Sequence, residues 1–310
     1  MKTLLSMTKR NVKLFFADKG MFITSLITPM ILLVLYATFL GNVFESAFLS
    51  GFPQGMEIDE KLVNGFVGAQ LVSSILAVSC VTVAFCANML MVQDKANGSI
   101  RDLEVSPLDP RILAVSYYLG TLISTLLICL CASAVCFVYI AAVGWYFTLS
   151  DVLLILLDVL ILSLFGTAMS SLVNFFLSSQ GQISAVGTIV SSGYGFLCGA
   201  YMPISQFDDS IGRVISLLPG TFGTSLLRQH SMAGVEREMI ASGMPNDVIK
   251  LTMDSVDANI YISDTAIPTG TKLLVIILCI VLVLGIYVAL NMLRFRRMMH
   301  PVSKKQGGKG

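Results

Sequence analysis

The sequence predicts an all-α polytopic membrane protein: six transmembrane helices, an amphipathic interfacial helix at the amino terminus, and short re-entrant helices after the fifth span. Three observations carry that prediction. Of 310 residues, 55% are hydrophobic and only 13% are charged, whereas a soluble domain carries roughly 25% charged residues. The charges gather in a few short segments, leaving uncharged runs that each hold the roughly 20 residues a helix needs to cross the hydrocarbon. Lysine and arginine collect in alternate segments and acids in the others, a segregation hidden by the net charge of +1.

The spans follow from the runs, at about 21–43, 63–92, 112–142, 152–177, 182–203 and 272–293. After Asp158 no charge occurs until Asp208, which accommodates two spans if the chain turns at the polar, glycine-containing pentad Ser178–Gln182. The first run, Met21 to Phe44, is longer than a signal-peptide core and lacks a small-residue cleavage site, so it is expected to be retained. Pro29 within it predicts a kink or a loosened turn.

Orientation rests on the basic residues. Lys2, Lys9, Arg10, Lys13 and Lys19 precede the first span; Lys95, Arg101 and Arg111 follow the second; a basic tail, 294–310, follows the sixth. The intervening loops are acidic, with Glu45, Glu57, Asp59 and Glu60 in the first and eight acids from Asp208 to Asp264 in the last. An even number of spans with both termini in the cytoplasm satisfies every segment, giving a multi-pass protein of the cell membrane. Residues 1–20 place Leu4, Leu5, Thr8, Val12, Phe15 and Phe16 on one helical arc beside Lys2, Lys9, Arg10 and Lys13, the pattern of a helix lying at a lipid surface.

The extracellular segment 204–271 is too short for a large independent domain. Its apolar pieces Ile211–Leu218 and Thr221–Leu227, broken at Pro219-Gly220, predict two short helices dipping toward the membrane. The stretch from Ala233 to Thr271 reads as a surface loop with one short helix.

Several function classes are excluded. No GxxxxGK[ST] occurs, so the chain has no P-loop for ATP, and HExxH and GxSxG are also missing. The seven cysteines all lie in apolar runs, Cys129 and Cys131 are too close for a CxxC pair, and His230 and His300 are the only histidines. A metal site, a disulfide-stapled ectodomain and a catalytic site in this chain are therefore not expected, and nothing in the charge pattern points to nucleic acid.

The informative segment is the cytoplasmic loop 93–111. Asn97 and Gly98 break the second helix, Ile100 and Leu103 form a small apolar face, and Pro107 ends the helical piece. Asp109-Pro110 supplies a cap and a first-turn proline for the third span. The result is a short charged helix, Asp94 to Val105, on which a soluble partner could dock and move two spans together.

Asp94, Gly98-Ser-Ile100, Leu103 and Ser106-Pro107-Leu108 resemble the loop after the second span in the permeases of ATP-binding-cassette exporters of the second type, roughly E-x-x-x-G-T-L-x-x-L-x-x-S-P, with Asp94 in place of the leading glutamate. Gly199-Ala-Tyr-Met-Pro203, then Leu218-Pro-Gly220 and Leu227-Arg228, is similar to that family's G-x-x-x-P…P…R ending, and the amphipathic start with Phe15-Phe16-Ala-Asp18 fits too. The resemblance covers nearly the whole chain. It implies a membrane subunit that forms the substrate path, paired with a second copy or a sister permease, each resting on a separate ATP-binding subunit that carries the ATP and magnesium. No cofactor is expected in this chain. It further implies that Asp94, Gly98, Ile100, Arg101, Leu103, Glu104, Ser106 and Pro107 contact the ATPase subunit, and that the second and fifth spans line the path.

Asn64, Gln70 and Asn88 are polar groups within the second run that could face such a path or tie helices together. Ser191, Gly195 and Gly199, four residues apart on the fifth span, suit close helix packing or a dimer interface. Asp158, inside the fourth span, is either a structural partner of a polar neighbour or a functional group. Met89, Met91, Met169 and Met202 read as gap-filling core. A transporter driven by an ion gradient would carry buried acid–base pairs and an inverted repeat; neither is visible in the sequence, and a scaffold or sensor subunit would need no path.

Overall fold

The structure, a computed structural model, describes residues 1–50, 59–106, 108–262 and 265–299. Its helices are α1 (Lys2–Ala17), α2 (Lys19–Leu35), α3 (Gly41–Ser50), α4 (Glu60–Ala87), α5 (Met89–Ala96), α6 (Ser99–Val105), α7 (Pro110–Val143), α8 (Leu149–Phe175), α9 (Gln180–Leu197), α10 (Asp209–Ser216), α11 (Pro219–Ala241), α12 (Asn246–Ser255) and α13 (Thr269–Met299). A two-residue antiparallel pair, Tyr261–Ile262 with Thr265–Ala266, is the one sheet among the described residues. Of the expected basic tail, residues 300–310 lie outside the described residues, as do Glu57 and Asp264 of the acidic loops.

Among the described residues, five helices are long and apolar enough to cross a bilayer: Lys19–Leu40, Glu60–Ala96, Pro110–Val143, Leu149–Phe175 and Thr269–Arg294. The fold is thus all-α and membrane-spanning, with the expected fifth span falling on α9. That helix has 18 residues, is rich in serine, glycine and threonine, and buries only Ile183 and Gly195. The Glu60–Ala96 pair is the axis of the bundle, packed by α2, α7, α8, α9 and α11. At 37 residues it extends about 55 Å, well beyond a hydrocarbon layer about 30 Å thick. Its surplus length leads into the loop helix α6.

Local signals account for the element boundaries. Asp18 ends α1 and caps α2, accepting a bond from the Met21 amide at 3.1 Å. Asp109 caps α7 by accepting from the Arg111 amide at 2.8 Å, with Pro110 in the first turn. Capping boxes start α8 at Thr148/Asp151 and α9 at Ser179/Gln182, the latter within the expected turn. Pro29 is passed without a break; the irregular turn is a π-helical segment, Tyr36–Leu40, further on. The Tyr36 hydroxyl donates to the Ala200 carbonyl at 3.1 Å and its ring stacks on Phe44, which holds the widened turn in place.

Three expectations are corrected. α1 does not turn its whole apolar arc to lipid: Thr8, Asn11 and Phe15 are buried, chiefly by α7, while Leu5, Leu14 and Phe16 stay exposed. The helix therefore has one face for the protein and another for an interface. The short re-entrant pair after α9 is instead a short α10 and a 23-residue α11 that packs on α4, α8 and α13. The expected surface loop is largely folded: Met232, Val235, Met239, Met244, Ile249, Met253, Val256 and Ala258 join Phe48, Leu62, Val63 and Phe66 in a second hydrophobic core. In α11 the buried Thr221, Thr224, Ser225 and Arg228 side chains bond back into the protein, which lets a polar sequence pack as a buried helix.

Candidate functional site

At the end of the central helix, Asn97 and Gly98 separate α5 from α6, Gly98 adopting a left-handed φ of +81° that a side chain would strain. α6 turns Ile100 inward and leaves Arg101, Asp102 and Val105 exposed. Leu103 is half-buried, and its carbonyl accepts the Ser106 hydroxyl at 2.6 Å, closing the helix. Pro107 and the side chain of Glu104 lie outside the described residues. The presented surface thus includes Asp102 and Val105, which the sequence did not single out.

Asp94 is placed differently from the expectation. It sits on α5, not on the exposed loop helix, and is buried. Its carboxylate accepts from Arg10 Nη1 on α1 at 3.0 Å and from the Tyr117 hydroxyl on α7 at 2.6 Å. Burial works against the Arg10 charge, but the adjacent carboxylate outweighs it and holds the guanidinium pKa above its ordinary value. Asp94 is therefore a strut inside the chain rather than a contact offered to a partner. One residue on, Lys95 Nζ donates to the carbonyls of Asn174, Phe175 and Leu177 at 2.7–3.1 Å. A cation at unsatisfied carbonyls is the favourable end for a helix C-terminus. The root of α6 is thus fastened to α1, α7 and α8 within two residues.

Beside this root, α2, α4, α5 and α9 bound an inner cavity of about 580 Å³, with Thr24, Thr28, Met89, Gln180, Ser184, Thr188, Ser191 and Ser192 on its walls. Further along the bundle lies an outer cavity of about 770 Å³, walled by Phe39, Phe44, Phe48, Phe66, Phe196 and Met202, with Ser255 and Val256 at its far end. Ile31, Leu32 and Tyr201 line both. Met89 and Met202 are therefore cavity walls, whereas Met91 is core.

Ser191 lines the inner cavity, whereas Asn64, Gln70 and Asn88 are not on the walls of these two cavities. Asn88 is buried and donates to Ser170 and Ser171 on α8, at 3.2 and 2.9 Å, so it ties helices together. Gln70 is buried within α4 and Asn64 is half-buried near its start. Gly195 and Gly199 do not form a helix–helix seam. Gly199 has φ +71° and ends α9, its amide bonding Phe196 O while the Ala200 amide bonds Gly195 O, a Schellman closure. Gly195 makes room for the Tyr201 ring folding back on the helix; a Cβ there would lie 2.3 Å from that ring.

Acid–base pairs with a buried carboxylate, not visible in the sequence, are present. Asp158 on α8 meets His230 Nδ1 on α11 at 2.5 Å. Arg228 Nη1 pairs with Asp257 at 3.2 Å, Arg237 with Asp151, and the buried Lys272 donates to Ser225 and the Ala258 carbonyl. The first three join residues 29 to 86 positions apart, which periodicity cannot reveal. Among the described residues, no three His, Cys, Asp or Glu gather as a metal site, and all seven cysteines are free.

Comparison with curated proteins returns no match. The model of the ABC-2 type transporter family matches residues 2–230, from α1 through α6, the inner cavity and most of the outer one to the first half of α11. This chain belongs to the ABC-2 type transporter family, as a membrane-embedded transporter subunit.

Proposed function

We propose that the chain forms the passage of an ATP-driven exporter and receives its work through α6 from a separate ATP-binding subunit. The observation that carries this reading is the mechanical arrangement of the loop. A short helix with exposed Arg101, Asp102 and Val105 is set off at Gly98, and its root is bonded to three helices through Asp94 and Lys95. A displacement of α6 is passed directly to α4, the axis that walls both cavities. The partner subunit would hold the ATP and magnesium, consistent with the missing P-loop. In the cell membrane both termini face the cytoplasm, and α1 rests Leu5, Leu14 and Phe16 in the lipid interface. A second permease copy, or a sister chain, covers the faces of α2 and α9 that are otherwise exposed, including Ile27, Met30, Val34 and Ile189.

The test is reconstitution. The purified chain alone hydrolyses no ATP, and hydrolysis and cargo movement arise when the ATP-binding subunit is added. Charge reversal at Arg101 and Asp102 lowers both without unfolding the chain. Intrinsic hydrolysis, or full transport by the reversed variant, would overturn the assignment.

A second reading is favoured by one observation, the Asp158–His230 pair at 2.5 Å in a spanning helix, which is the kind of group a proton-driven transporter uses. A proton ionophore separates the two: it stops gradient-driven movement and leaves ATP-driven movement intact.

A further inference from the structure

We propose that the cleft between α2, α4 and α9 carries a bilayer-resident, uncharged amphiphile, its donor-bearing head in the inner cavity and its aliphatic or aromatic body in the outer. Tyr201 sets the boundary between the two. The inference rests on the permease reading and names the cargo of that same path.

Charge comes first. None of the residues walling either cavity is Asp, Glu, Lys, Arg or His. A carboxylate, phosphate or ammonium entering either space would lose water without gaining a counter-charge, at a cost of several kcal/mol. The volumes, about 580 and 770 Å³, lie within the usual range for small-molecule sites.

The two spaces select opposite ends of one molecule. In the inner cavity, Thr24, Thr188 and Ser192 each donate their hydroxyl proton to a carbonyl one helical turn back, at 2.7–2.9 Å. Their protons are committed, so what these side chains offer the cavity is oxygen lone pairs. Such a wall accepts from hydrogen-bond donors, the O–H or N–H groups of a hydroxylated or amide head, and offers an anionic head no cationic side chain. The outer cavity is lined by five phenylalanines and by Ile31, Leu32, Leu35 and Leu40, with Gln206 and Ser255 among its few polar side chains. That surface suits an acyl chain or a flat ring system.

Tyr201 belongs to both. Its ring lies over Gly195 and meets Phe196 edge-on at 5.2 Å, while its hydroxyl reaches 3.5 Å from the Ser191 carbonyl, on the inner wall. The apolar part of one side chain thus finishes the outer cavity and its polar tip finishes the inner one.

The experiment uses the full chain in phosphatidylcholine nanodiscs with three photoreactive probes of equal chain length: a diazirine monoacylglycerol, the matching fatty acid, and the matching alkyl trimethylammonium. Adducts are mapped by peptide mass spectrometry. The monoacylglycerol labels residues 31–48 and 196–206 about tenfold more than either charged probe, the preference that an uncompensated charge predicts. Thr188→Val lowers that labelling several-fold, and Tyr201→Ala removes the preference for the outer segment. Equal labelling by all three probes, or adducts spread over the exposed faces of α7 and α13, would overturn the proposal by reducing the cleft to ordinary lipid contact. Assembly with the ATP-binding subunit is measured in parallel. If that complex hydrolyses ATP and transports but the probes do not discriminate, only the cargo class falls; if no ATPase assembles, the permease reading falls.

Discussion

Arg10 and Asp94, 84 residues apart in sequence, bond at 3.0 Å and join the amino-terminal helix to the base of the coupling segment. The Tyr117 hydroxyl completes the contact from α7. Asp94 is buried, whereas the Arg10 side chain keeps about a third of its surface exposed (31%). Breaking the contact therefore strands a buried carboxylate more than a buried cation. Arg10→Met, which leaves the buried Asp94 carboxylate with the Tyr117 hydroxyl alone, is expected to cost about 1–3 kcal/mol, and Asp94→Ala somewhat less because solvent already screens the Arg10 end. Thermal unfolding of the two single variants and the double variant in detergent checks this. The double variant is expected to be less destabilised than the sum of the singles, and strict additivity would deny the contact.

Lys95 closes the end of α8 with three carbonyl bonds, and Phe175 sits under its charge at 5.4 Å. Lys95→Met keeps the stem and removes the donors. The expected loss is about 1–2 kcal/mol, with a local readout: faster proteolysis or deuterium uptake around 174–182 and unchanged exchange in α13. If exchange rises uniformly instead, the cap has no local role.

Much of the fold was legible from sequence because its signals are local. Long uncharged runs mark α2, α4, α7, α8 and α13, and Asp109-Pro110 and the 178–182 turn mark boundaries through cap chemistry that depends on neighbouring residues alone. Of α11 only the piece Thr221–Leu227 was legible; from there on the buried Arg228 and Ser231 and the charged Glu236, Arg237 and Glu238 make its continuation look like a wet loop. The site was legible in part. Gly98 and the short α6 followed from composition, but the real use of Asp94 depends on Arg10, far away in the chain. Gly195 reads as a packing glycine, and only the folded chain shows that what it accommodates is Tyr201, six residues on.

That crowding gives a prediction with a rescue. At Gly195, alanine would place its Cβ 2.3 Å from the Tyr201 ring, closer than real contacts allow, so the ring must leave its seat at a cost of about 1–3 kcal/mol. Adding Tyr201→Ala to Gly195→Ala removes the obstacle and is expected to restore most of the stability measured by thermal unfolding. Gly199→Ala is not rescued by the same change, because its penalty comes from a φ of +71° and amounts to about 1–2 kcal/mol. Rescue of both would mean that Tyr201 acts on the chain in some broader way.

The orientation of the bundle follows from the same coupling segment and is open to direct chemistry. Ser99 opens α6 on the side where Lys95, Arg101 and Arg111 cluster, and Ser242 follows α11 in the acid-rich region. The positive-inside rule puts the basic side in the cytoplasm. Single cysteines are introduced at these positions in a background from which the seven native cysteines have been removed, Cys131 above all since it is exposed. In intact cells, a membrane-impermeant maleimide is expected to label Ser242→Cys and to reach Ser99→Cys only after permeabilisation. Labelling of both from outside would place α6 where no cytoplasmic ATP-binding subunit could reach it, and the coupling assignment would fail with the topology.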